Sequence, residues 1–198
     1  MLFPLELLFG LLLFAFVTSV TPGPNNMMLL ASGVNFGVRR TVPHMLGISI
    51  GHAFMVFCVG LGIAAIFEAE PRLNVALKVV GALYMLWLAW KIAHAAAPEG
   101  AGTQGRPFTF LQAAAFQWVN PKAWAMALVA VSAYAPSPSA WGVGLVAIVF
   151  GLVNLPSVGM WAALGQGLRV WLEEPRRRRV FNIAMAVLLV LSIVPFVA

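Results

Sequence analysis

Apolar residues along this chain gather into six long runs: roughly Leu5 to Val34, Pro43 to Phe67, Leu73 to Ala96, Phe108 to Tyr134, Ala140 to Leu168 and Val180 to Val197. A helix needs about 20 apolar residues to cross a bilayer, and each run meets or approaches that length. The joints between them are short and polar or turn-rich: "NFGVRRT", "EAEPR", "APEGAGTQGRP", "APSPSA" and "EEPRRRR". The pattern predicts an all-α membrane protein with six transmembrane helices. The third joint, Pro98 to Pro107, is the most loop-like and falls at mid-chain. It divides a single transmembrane domain over 1–198 into halves of three helices, about 1–97 and 108–198. An odd number of helices per half makes the halves insert in opposite senses, which predicts a 3+3 inverted repeat.

Two of the runs are interrupted. The first carries Thr21, Pro22, Gly23, Pro24, Asn25 and Asn26 in succession, and the fourth carries Asn120, Pro121 and Lys122. Pro and Gly end helices, and backbone groups freed in hydrocarbon find no water, so such breaks belong where the chain lines a protein cavity. Either break alone reads as a kink, because Gly and Pro are common in membrane helices. Two breaks near the middle of corresponding runs, with amides and a lysine beside them, predict broken helices 1 and 4 around a central binding site.

After each break a half-helix restarts near the bilayer midplane. Pro at the first helical position and Asn as a cap are ordinary helix-start chemistry, and each start presents backbone N–H groups and the positive end of a dipole. Lys122 adds a full charge whose burial costs roughly 2.5 kcal/mol or more, which marks it as functional. Together these groups predict a site for a carboxylate. The preceding half-helices end in carbonyls that suit an ammonium, so a zwitterion matches both. Asn25, Asn26 or Asn120 is then available for a substrate hydroxyl. No Asp occurs, and no Glu lies near the midplane to pair a cationic side chain, so lysine and arginine are predicted to be poor substrates.

Other polar positions carry weaker signals. Gly47 to Gly51 in "GISIG", and Gly33 with Gly37, have the small-residue spacing that lets helices pack closely. His52 reads first as a packed or hydrogen-bonded residue, Asn154 with Pro156 as a kink facing the cavity, and Gln112 and Gln117 as interhelical bonds. Lys78 lies close enough to the surface to snorkel.

With 62% hydrophobic and 9% charged residues, the chain departs from a soluble domain, where about a quarter are charged. A soluble fold and a second domain are both excluded. The formal charge of +6 does not imply nucleic acid, because the basic residues punctuate apolar runs and form no stripe. Arg176 to Arg179 read instead as an orientation signal or a contact for anionic lipid. Lys and Arg collect in joints one, three and five, so the positive-inside rule places these in the cytoplasm and both termini outside. Trp87, Trp90 and Lys91 fit an inner interfacial belt and Trp141 an outer one. The first helix lacks the basic start of a signal peptide and reads as a mature span. One cysteine, Cys58, excludes an internal disulfide. His44, His52 and His94 have no metal-ligand spacing, and no paired carboxylates or nucleophilic triad can be assembled, so neither enzyme, metal nor cofactor is expected.

The segments "TPGPNN", "GVNFGVRRTVPHMLGISIGH", "VVGALYMLWLAWKI" and "QWVNPKAW", in this order, resemble the lysine exporter (LysE) superfamily, and more closely its RhtB-type branch of threonine, homoserine and cysteine exporters. The likeness covers nearly the whole chain. Thr21, Pro22, Gly23, Pro24 and Asn25 stand where that family has its first signature, and Asn120, Pro121 and Lys122 match its second. The resemblance implies export of small amino acids or their derivatives from the bacterial cytoplasm across the inner membrane, driven by the proton gradient. With no acidic residue at the midplane, Lys122 and His52 remain as proton carriers. The competing readings are a lipid-interacting or scaffold protein whose breaks only bend helices, and a channel. Small-residue faces also suggest a homodimer.

Overall fold

The computed structural model describes residues 4–94, 106–137, 139–192 and 194. Every regular element among them is helical: α1 (Leu5–Val20), α2 (Pro24–Cys58), a π-turn (Val59–Ile63), α3 (Ala64–Ala69), α4 (Pro71–Ala93), α5 (Phe110–Phe116) running into a 3-10 turn (Gln117–Val119), α6 (Pro121–Tyr134), α7 (Ala140–Leu168), a 3-10 turn (Trp171–Glu173) and α8 (Pro175–Leu191). Proline opens four of these helices, α2, α4, α6 and α8, where its missing N–H costs no bond. The mid-chain joint lies almost wholly outside the described residues, as does Ala198.

The predicted breaks are present. Thr21 to Gly23 separate α1 from α2, and Asn120 separates the 3-10 turn from α6. The predicted "NFGVRRT" joint is much shorter than a loop. Gly37 alone, at φ 76 and ψ 166, turns the chain between the 24–36 and 38–58 arms of α2, and Arg39 and Arg40 are already helical. An L side chain resists that φ, so Gly is required there. Gln166 of α7 completes the corner, because its Oε1 accepts from Val38 N at 2.7 Å. The arginines of "EEPRRRR" likewise belong to α8, which starts at Pro175 and not near Val180.

Three described helices are long and apolar enough to cross a membrane: Pro24–Ile63, Val75–Ala93 and Ala140–Leu168, with Leu5–Val20 a shorter apolar one. The breaks account for much of the difference from six. They leave α1 with 16 residues, α5 with 7 and α6 with 14. The outer surface is apolar, as at Leu13, Leu111, Leu152 and Trp141, while His52, Gln117, Asn120 and Asn154 are buried. Apolar outside and polar inside is the distribution expected when lipid is the solvent.

Three clusters form the apolar core, the smallest of them Leu29, Ile48, Ala113 and Val158. Leu11, Ala15, Met55, Ala127, Val146 and Phe150 join α1, the 38–58 arm, α6 and α7. Met28, Leu30, Met85, Leu88, Phe116 and Leu189 join the 24–36 arm, α4, α5 and α8. Each broken run therefore contributes one half-helix to each of the two larger clusters. Of the two small-residue spacings, Gly47 to Gly51 packs helices closely as its pattern predicts, whereas in the other Gly33 packs on α7 and Gly37 is the corner itself. A Cβ on Gly47 would stand 2.3 Å from the Phe110 carbonyl oxygen, and one on Gly51 2.6 Å from Ala114 Cα, so α2 and α5 touch backbone to backbone.

Candidate functional site

The two breaks face each other across a narrow open cavity. Of the residues singled out in the sequence, Gly23, Asn25, Asn26, Asn120, Lys122 and His52 line it. Pro24 is buried beneath, and Thr21 and Pro22 lie exposed beside Lys122.

Lys122 is the centre of the arrangement, although its surroundings differ from the sequence expectation. Its Nζ donates to Thr21 O at 2.6 Å, Thr21 Oγ1 at 3.0 Å and Pro22 O at 3.3 Å. All three ammonium donors are thus satisfied. Two of the acceptors are the carbonyls just past the end of α1, where the helix dipole favours a cation. The carbonyls expected to await a substrate ammonium therefore hold the chain's own. The lysine stem crosses directly over Gly23, where a Cβ would lie 2.7 Å from Lys122 Cδ.

The two half-helix starts are not alike. Asn120 caps α6, its Oδ1 accepting from Lys122 N at 3.1 Å. Gly23 gives α2 no side-chain cap. Pro24 has no N–H, and Met27 N already donates to Gly23 O, so the Asn25 and Asn26 amides are the donors left at that start. Asn25 and Asn26 line the same cavity as Lys122, so of the two starts this one keeps backbone donors of the kind that suit an anion.

The asparagine side chains are engaged. Asn25 and Gln117 form a reciprocal amide pair, Asn25 Nδ2 to Gln117 Oε1 at 2.8 Å and Gln117 Nε2 to Asn25 Oδ1 at 3.2 Å. Asn26 Nδ2 donates to Ser19 O and Thr21 O, which fixes the shape of the first break. Asn154 faces the cavity as predicted and ties three segments together, donating to Ser19 Oγ and accepting from Ser49 Oγ, both at 2.9 Å. Sequence reasoning passed over Thr18, Ser19, Ala123, Met126 and Val158 as cavity residues. Nothing in a single hydroxyl or apolar side chain inside an apolar run marks it out. Gln117 had a signal, an amide four residues before a helix-breaking proline, and was read only as a bond between helices.

His52 is 2% exposed and packs edge-on against Phe150, with ring centroids 4.8 Å apart. Neither of its ring nitrogens has a partner among the described residues. No group of three His, Cys, Asp or Glu residues among them is arranged to hold a metal.

The LysE type translocator family matches residues 16–197. The cysteine/O-acetylserine efflux protein of Escherichia coli (strain K12) is 32% identical over 181 residues, covering 89% of this chain and 90% of the relative. The cysteine/O-acetylserine efflux protein of Shigella sonnei (strain Ss046) shows the same identity and coverage. No solved structure matches the chain. A family match over nearly the whole length, with relatives 32% identical over 89% of the chain, makes this chain a membrane protein of the LysE type translocator family.

Proposed function

We propose that this chain is a secondary transporter, one domain over 1–198, that exports small neutral amino acids or derivatives of the cysteine, O-acetylserine and threonine kind from the bacterial cytoplasm by proton antiport. The observation that carries the reading is the crossed bonding of the two breaks around one cavity. Lys122 joins α6 to the end of α1, and Asn25 joins the 24–36 arm to Gln117. Asn25 and Lys122 each follow a helix-opening proline, which supports pairing the two breaks as counterparts of an inverted repeat.

Six spans in a 3+3 inverted repeat, with halves of about 1–97 and 108–198, give these contacts opposite roles. With both termini outside, Lys122 on Thr21 and Pro22 locks the outer half-helices, and Asn25 on Gln117 locks the inner ones. A substrate entering from the cytoplasm parts the amide pair and brings its carboxylate to the Asn25 and Asn26 amides. That charge draws the Lys122 ammonium from the carbonyls just past α1, and the substrate ammonium takes its place on them. Binding thereby releases the outer lock, which is the differential contact that alternating access requires. Of the two carriers the sequence leaves, Lys122 takes the proton. Arg176 to Arg179 contact lipid headgroups at the inner surface. A homodimer would use lipid-facing residues, because Gly33, Gly47, Gly51 and Gly165 are occupied within the chain.

Counterflow in vesicles tests the reading. Labelled serine, threonine or cysteine should exchange against internal neutral amino acid, and lysine and arginine should compete at least about tenfold more weakly, since a buried unpaired cation costs several kcal/mol. Preferred exchange of cationic amino acids defeats the assignment, and no exchange at all returns the chain to the scaffold reading. Topology is tested separately. A reporter fused after Ala198 should be external, and one inserted between Pro98 and Pro107 should be cytoplasmic. The reverse pattern overturns the inner and outer labels of the two locks.

A further inference from the structure

We infer that His52 reads the side chain of the transported amino acid, hydrogen-bonding a hydroxyl, thiol or ester oxygen one or two atoms beyond its Cβ. The inference rests on the proposed transport reading and deepens it. Of the asparagines that the sequence offered for this task, Asn25 has both ends of its amide committed and Asn26 and Asn120 have one end each. Both ends of the Asn25 side chain pair with Gln117, Asn26 Nδ2 holds two carbonyls of the first break, and Asn120 Oδ1 caps α6. Asn154 is held between Ser19 and Ser49. His52 is different. It lines the same cavity, is 98% buried by its 2% exposure, and neither ring nitrogen has a partner among the described residues. A buried polar group without a partner is costly, and a neutral imidazole offers one donor and one acceptor. It can accept from a hydroxyl or thiol and donate to a carbonyl or ester oxygen.

The surroundings fit a small side chain of mixed character. Met126, Ala123 and Val158 supply apolar wall, and Phe150 holds the imidazole edge-on so that its orientation is set before a ligand arrives. The carboxylate end of the site lies at the Asn25 and Asn26 amides on the 24–36 arm and at Lys122 on α6, whereas His52 stands on the 38–58 arm, so it is free to discriminate side chains without touching the groups common to all amino acids. His44 supplies an internal control. It is equally buried, its nitrogens are also unpartnered among the described residues, and it stacks on Phe108, yet it is absent from the cavity wall.

The experiment compares threonine with valine, which differ only by a hydroxyl and a methyl, as competitors of labelled counterflow. The label is whichever neutral amino acid the wild-type protein exchanges fastest. The wild type should favour threonine by about tenfold or more, as a site that hydrogen-bonds a hydroxyl rejects the apolar isostere. His52→Phe keeps the ring contact with Phe150 and should bring the ratio close to one, with valine competition within about threefold of wild type. His52→Gln restores a donor and an acceptor and should restore most of the preference. His44→Phe should leave the ratio unchanged. If His52→Phe does not accumulate, His52→Leu is read in its place. A wild-type ratio in the apolar variant overturns the inference, as does an equal loss of threonine and valine competition, which would assign His52 to packing. Absence of counterflow in the wild type itself defeats the transport reading instead, so the two failures are distinct.

Discussion

Lys122→Ala should reduce amino-acid counterflow to the level of empty vesicles while the protein still inserts and accumulates. The side chain is half-buried and its stem lies over Gly23, so its removal opens space beside the cavity without removing an apolar core contact. What is lost is charge. The ammonium holds three oxygens of the first break, and in the proposed cycle it passes from them to the substrate carboxylate. Hydrogen bonds to charged groups contribute about 1.5–3 kcal/mol each, so each lost bond lowers the transport rate by about 10- to 100-fold. Lys122→Arg should recover little. The path over Gly23 is already filled by a slender alkyl stem, and a planar guanidinium presents its donors in a wider, fixed fork. Gln117→Leu tests the other lock. It leaves the ammonium in place and should alter the maximal exchange rate far more than the half-saturating concentration. Counterflow at the wild-type rate in Lys122→Ala would remove the lysine from the site.

The helical class and the two breaks were legible because each is local. Hydropathy is a sum over neighbouring residues, and Pro22, Gly23, Pro24 and Pro121 act on their own backbone wherever they stand. Asn120 as a cap was legible for the same reason, and the bond from Lys122 N to its Oδ1 is the expected one. Partners across the fold were not. Nothing in the order of residues says that the Lys122 ammonium reaches back about a hundred positions to Thr21, or that Asn25 pairs with Gln117 and so is unavailable to a substrate. The extent of the corner at Gly37 was hidden too. It requires a positive φ at one glycine and a side chain from distant Gln166, whereas the polar residues and glycine of "NFGVRRT" looked like an ordinary joint. The arginines after Pro175 were read as a joint because charge outweighs helix propensity in a hydropathy scan, although arginine is a good helix former and proline an ordinary first helical residue.

Gly33→Leu should bring the amount of folded protein, measured as a monodisperse peak after detergent extraction, down to background. The 24–36 arm carries Asn25 and Asn26 into the site, and it is seated on α7 by two reciprocal backbone contacts. A Cβ on Gly33 would stand 2.1 Å from the Ala162 carbonyl oxygen, and one on Gly165 2.1 Å from that of Leu30. Carbonyls inside helices cannot turn aside as a flexible side chain can, so the helices must separate and the packing over both turns is lost. Overpacking a tight interior costs about 1–3 kcal/mol even where side chains give way, and a leucine against backbone exceeds that range. Gly33→Ala, with a single methyl, should fold in reduced yield and exchange substrate more slowly, because any shift of the arm moves the Asn25 and Asn26 amides relative to Lys122. Gly167→Ala is the matched control. It lies in the same helix as Gly165, has open space around its Cβ position, and should behave as wild type. Wild-type yield and thermal stability in Gly33→Leu would show that the arm is not seated on α7 in the membrane, and the cavity between the breaks would then lose the support that gives it shape.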